Sequence, residues 1–135
     1  MKKQVRGQSS VELVIILAAT LFILALVVAF STEQMSDVTV ARMKAEARAT
    51  VSDLAATADS VYSQGYGARQ QVFVRMPGSF DPGNTFIEGH VISIRVRGTD
   101  IFAATAAPVA GTLPATSGGK WVWVTASDNG TVVIG

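Results

Sequence analysis

Cysteine is absent from this 135-residue chain, histidine occurs once, and neither glycine nor proline falls between Gln8 and Gln64. Without cysteine there are no disulfide staples and no thiolate metal sites, so a folded domain must hold by core packing or by association with neighbours. The lone His90 and acids without ligand spacing offer no metal site. No Ser/His/Asp arrangement has more than one candidate base, and no phosphate-cradling glycine loop follows a strand. Nothing here reads as catalysis, and no cofactor is expected. Net charge is +1, with no basic patch interleaved with aromatics, which argues against nucleic acid as a partner.

Every glycine except Gly7, and all four prolines, lie from Gly65 onward. Two architectures are therefore joined end to end: a helix over residues 8–64 and a turn-rich head over 65–135. Residues 13–30 are an apolar run broken only by Thr20, about 27 Å long as a helix and close to the thickness of bilayer hydrocarbon. Lys2, Lys3 and Arg6 precede the run, while Glu33 and Asp37 follow it. The positive-inside tendency then places the N-terminus in the cytoplasm and everything after Phe30 outside.

Beyond the run, Val38, Ala41, Ala45, Val51, Leu54, Ala55, Ala58, Val61 and Tyr62 recur at three- and four-residue steps, an apolar stripe on a helical period. Glu33, Asp37, Arg42, Glu46, Asp53 and Asp59 are expected on the other face, with Arg42 and Glu46 spaced for an i,i+4 pair. An unbroken helix over residues 8–64 would measure about 85 Å, too long for a head of this size to cover.

The head reads as β. Strands are expected at 71–76, 91–97, 101–105, 120–126 and 131–134, with an exposed loop over 106–119. Gly98-Thr99-Asp100 and Asp128-Asn129-Gly130 read as hairpin connections, the second as a type I′ turn. The fold class is therefore α+β: a long N-terminal helix whose second half packs on a small antiparallel sheet. Trp121 and Trp123 share one strand face, expected to pack on the helix stripe; an exposed aromatic surface is the alternative. Asn129-Gly130-Thr131 is also an N-glycosylation sequon, although a turn needing positive φ explains Asn129 and Gly130 by itself.

Glu12 stands at the mouth of the apolar run. An acid costs roughly 2.5–3.5 kcal/mol at the centre of a membrane helix. One reading is a capping box with Ser9 as N-cap and Glu12 three residues on. The other needs cleavage after Gly7, which creates an α-amino group at Gln8. An ammonium in apolar surroundings requires a counter-charge, and Glu12 lies one turn away or reaches from a neighbour.

Gly7 followed by Gln8-Ser9-Ser10-Val11-Glu12-Leu13, behind a basic leader, resembles the class III signal peptide of archaeal type IV pilins. Gln8, Ser10 and Glu12 match its Gln-x-Ser-x-Glu start. The resemblance implies that a membrane-embedded prepilin peptidase removes residues 1–7, leaving 8 basic against 10 acidic side chains, net −2. It implies that the mature helix moves from the membrane, through an assembly platform and its ATPase, into the core of a homopolymeric surface filament used for adhesion. Glu12 would then serve subunit recognition and neutralise a neighbour's N-terminus. The stretch from Asp59 to Gly65 is similar to the helix-to-head junction of these pilins, and a tight-adherence pilin or pseudopilin is a close variant. Ala18, Ala19, Ala25 and Ala29 are small enough for close helix approach. Two other readings are a monomeric membrane-anchored surface binding protein and a secreted protein cut after Ala29. Against the latter, Glu12 intervenes between the charges and an apolar core that is long for a secretory signal.

Overall fold

A computed structural model describes the backbone of residues 4–135 and the side chains from Ser9 onward. Helix α1 runs without interruption from Gln4 to Gln64. The strands are β1 (Arg69–Met76), β2 (Phe86–Glu88), β3 (Val91–Val96), β4 (Thr99–Ala104), β5 (Val109–Gly111), β6 (Gly118–Ala126) and β7 (Val132–Ile134). They form one sheet in the order β1-β6-β7-β5-β2-β3-β4. The chain divides into two compact units, the first ending at Thr39 and the second comprising Val40–Gly135.

In the second unit the turns of α1 from Val40 onward supply one wall of the core. Met43, Ala47, Val51, Leu54, Ala55, Ala58 and Val61 are buried, with Leu54, Ala47, Ala58 and Val61 fully so. The spacing of three and four residues is the expected helical period. Its first turns differ from the expected stripe, because Ala41 and Ala45 are exposed while Met43 and Ala47 face the core. Methionine fills more of the core than alanine can, and that fixes the rotation of the helix. The sheet contributes Val74, Met76, Ile92, Ile94, Val96, Val122, Val124, Val132 and Ile134 from the opposite wall. Alanine at positions 47 and 58 lets the helix lie close to these branched side chains.

Two polar contacts fasten helix to sheet. The buried Thr50 hydroxyl donates to the Arg75 carbonyl on edge strand β1 at 2.8 Å. Asp59 Oδ1 accepts from the backbone N–H groups of Ala106 and Ala107, at 2.9 and 3.3 Å. Asp59 was expected on the solvent face, but it ties the β4–β5 connection to the helix. Arg42 and Glu46 form the expected pair at 3.3 Å. The helix ends where Gly65 adopts φ +89 and donates to the Tyr62 carbonyl, a conformation that favours glycine.

The α+β layout is present, but the sheet is mixed: β5 pairs with β7 in parallel. The expected loop over 106–119 contains β5 and the start of β6, and β2 occupies a stretch not assigned to a strand. Both short strands cross the sheet's middle, where neighbours on both sides supply the pairing that their own sequence does not announce. The β3–β4 hairpin turns at Arg97-Gly98, both with positive φ, one residue earlier than expected. In the β6–β7 hairpin only Gly130 has positive φ. The turn is therefore not type I′; Gly130 N–H donates to the Ser127 carbonyl, and Gly130 takes up the left-handed position of a bulge.

Arg95 and Asp100 face each other across β3 and β4, joined by two hydrogen bonds of 2.6 and 2.7 Å. Hydrogen bonding from Arg95 holds the Asp100 carboxyl below its ordinary value of 3.8. A depressed folded-state value stabilises the fold above pH 3.8, and that contribution is lost as pH falls through the lower folded value. The stability difference between wild type and Asp100→Asn should thus be constant above about pH 5 and shrink under stronger acid, as read by unfolding at several pH values. Leu54→Ala should cost about 2–5 kcal/mol and lower the thermal midpoint of the full chain, followed by circular dichroism in detergent.

Candidate functional site

Residues 9–39 are all exposed. The large side chains of the apolar run lie between 43% exposed at Leu26 and 68% at Leu13. Among the described residues this is the one helix long and apolar enough to cross a membrane. Its interrupting hydroxyl is satisfied inside the helix, since Thr20 donates to the Ile16 carbonyl at 2.8 Å. Thr32 bonds back to Val28 and Ala29, and Thr39 to Met35. These hydroxyls therefore bring no unmet donor into an apolar environment.

The backbone is helical through Gly7, Gln8, Ser10 and Glu12. Met1, Lys2 and Lys3 of the basic leader lie outside the described residues, as do the side chains of Arg6 and Gln8. With the helix starting at Gln4, Ser9 is an interior residue rather than an N-cap, and the capping box is not formed. Carbonyls upstream of Ser9 supply the partners that a cap would otherwise provide. Glu12 is exposed at the start of the run, one turn beyond Gln8.

The second feature is the sheet face that points away from the helix. Trp121 is 63% exposed, Phe73 44% and Trp123 39%. The tryptophans were expected against the helix stripe; instead Val122, Val124 and Ala126 take the core positions of β6. Strand parity forces this choice, because the two sets of side chains cannot share a face. Branched and small residues fit beneath an alanine-rich helix, whereas indoles would hold it off. Phe73 meets Trp121 edge-to-face at 5.2 Å across the β1–β6 pair. The Arg69 guanidinium lies 3.8 Å from the centre of the Trp123 ring.

Asn129 stands exposed at the tip of the β6–β7 hairpin, its Oδ1 accepting the Thr131 N–H at 3.0 Å. This bond gives Asn129 a structural role whether or not its amide nitrogen is modified. His90 lies in the β2–β3 turn with Nδ1 3.2 Å from the Thr105 carbonyl. Among the described residues no cluster of His, Asp or Glu could hold a metal ion.

No protein-family profile, curated protein or solved structure matches the chain.

The Asn129 contact is open to a direct check. Asn129→Ala should lower stability by about 1 kcal/mol, while Asn129→Asp, which keeps the acceptor, should restore most of it in thermal unfolding. Equal loss in both variants would remove the hydrogen bond as the reason for this residue.

Proposed function

We propose that this chain is a structural subunit of an extracellular type IV pilus-like filament, held in a membrane before assembly and then polymerised through its apolar helix. The observation that carries this reading is the continuous exposure of the apolar run on a helix whose later turns are built into a β-rich head. Burying one large apolar side chain is worth about 1.5–3 kcal/mol, so leaving the whole run in water would cost tens of kcal/mol. Lipid removes that cost first, and helices of identical copies remove it afterwards. The exchange is nearly neutral in hydrophobic energy, so packing and electrostatics decide its direction.

Glu12 supplies the electrostatic element. Removal of residues 1–7 would leave a charged amine at Gln8, at the positive end of a helix whose first N–H groups lack partners. A carboxylate one turn away, on the same subunit or on a neighbour, compensates that charge inside an apolar bundle. Gly7 and Gln8 then mark the cleavage point for a prepilin peptidase, Gln8, Ser10 and Glu12 its recognition sequence, and an assembly ATPase and platform drive extraction. Ala18, Ala19, Ala25 and Ala29 permit close approach between helices. The exposed Asn129 sequon suits glycan attachment on the filament surface. Adhesion follows from a head displayed in many copies.

N-terminal sequencing of surface filaments should begin at Gln8. A start at Met1 would favour a permanent anchor, and a start at Phe30 a secreted protein. Glu12→Ala should still insert into membranes but yield few filaments in electron micrographs. An uncompensated buried charge costs about 3–5 kcal/mol, enough to stop a near-neutral exchange. Normal filament yield from this variant would remove Glu12 from the assembly step.

A further inference from the structure

We infer that the outer sheet face around Trp121 binds an unbranched polysaccharide carrying carboxylate groups. The inference goes beyond filament assembly and holds equally for a lone anchored subunit, because every residue involved lies on β1 and β6.

The face is built rather than incidental. Phe73 lies over Gly119, where an added Cβ would fall 2.2 Å from the ring. A glycine at that position lets Phe73 settle against the strand and meet Trp121 edge-to-face. Trp121 remains the most open ring of the group, at 63% exposure. An indole face carries negative quadrupolar charge, and the C–H face of a pyranose ring presents weakly positive hydrogens of matching extent. One ring therefore offers one sugar a stacking platform.

Arg69 supplies the charge. Its guanidinium lies over the Trp123 ring, a contact that engages the flat side of the cation rather than its in-plane N–H donors. Among the described residues the ion pairs are Arg42–Glu46 and Arg95–Asp100, so Arg69 faces no carboxylate of its own. Arg75 lies on the same strand face, but it and Phe73 share a cleft at the β1 edge with Glu46 and Asp53, so its charge is partly answered and the saccharide belongs over Trp121 rather than at that edge. A planar fork of donors without an ion-pair partner suits a bidentate carboxylate. Arg69 and Phe73 are four strand residues apart, about 14 Å, enough for a saccharide chain to touch the cation and the aromatic group together.

Single-stranded nucleic acid also uses cations and aromatic rings, but it stacks successive bases on several open ring faces. Here Trp123 is capped by Arg69, and Phe73 is tilted 63° from Trp121. One open platform beside one cation matches a sugar acid better than a run of bases.

The test uses the full chain in phosphatidylcholine nanodiscs, with polygalacturonate, neutral dextran, a poly-dT oligonucleotide and phosphatidylglycerol vesicles as probes. Polygalacturonate should bind and weaken with added salt. Arg69→Gln and Trp121→Ala should each weaken it roughly tenfold or more, while the head of each variant stays folded at the assay temperature by circular dichroism. Arg69→Lys should recover only part of the loss, since it keeps the charge without the planar fork. The inference is overturned if polygalacturonate fails to bind, if dextran, poly-dT or the vesicles bind more tightly, or if binding survives both Arg69→Gln and Trp121→Ala.

Discussion

Contact with water is energetically costly along the whole of residues 13–30. The run is exposed along its length in the single chain, and no side chain within it answers another across a core. This one imbalance governs the rest of the molecule. Such a run is best served by a continuous helix that meets its backbone polar groups internally, in keeping with the absence of glycine and proline from Gln8 to Gln64. It needs hydroxyls that fold back on the helix, as Thr20 does onto Ile16. It also needs a separate core that does not draw on these side chains, and Val40–Gly135 provides one.

That second core is built under tight limits. Without disulfides, a sheet containing three-residue strands must be held by burial and by a few well-placed polar contacts. Asp59 and Thr50 accordingly each fasten the helix to chain far away in sequence. The alanines of the helix stripe and the branched residues of the sheet are complementary in size, and this complementarity selects which face of β6 goes inward. The tryptophans are left outside as a result of packing below them, which gives the head its aromatic surface without weakening its core.

The long-range features were legible in the sequence because they repeat. The helix declared itself by an uninterrupted pattern of more than fifty residues, and β3 by the alternation of Ile92, Ile94 and Val96 with polar neighbours. Strands β2 and β5 did not, because three residues are too few to show a period and neither has the turn signal, Asp128-Asn129-Gly130, that marks the equally short β7 as a hairpin partner of β6. β6 is legible as a strand but its inward face is not, because both of its faces are apolar: Trp121 and Trp123 on one, Val122 and Val124 on the other. Parity alone left the two choices equal, and aromatic bulk pointed to the wrong one. The small residues at Ala47 and Ala58 held the answer, since a helix with such a contact surface leaves no room for indoles beneath it. Of the candidate site, Glu12 and the apolar run could be read directly, whereas the stack of Arg69 on Trp123 depends on β1–β6 register, which has no local sequence signature.

Under the filament reading, the two exposed surfaces of this chain answer different requirements. The helix needs a partner of its own kind, because only another apolar surface of similar length can replace lipid along the whole run. The sheet face is amphipathic, with aromatic rings beside a cation, and is stable in water by itself. Polymerisation would multiply such a face along a fibre, so that individually weak contacts act together at high effective concentration. A modest, salt-sensitive affinity at each head is then sufficient for firm attachment, and the head needs no deep pocket to achieve it.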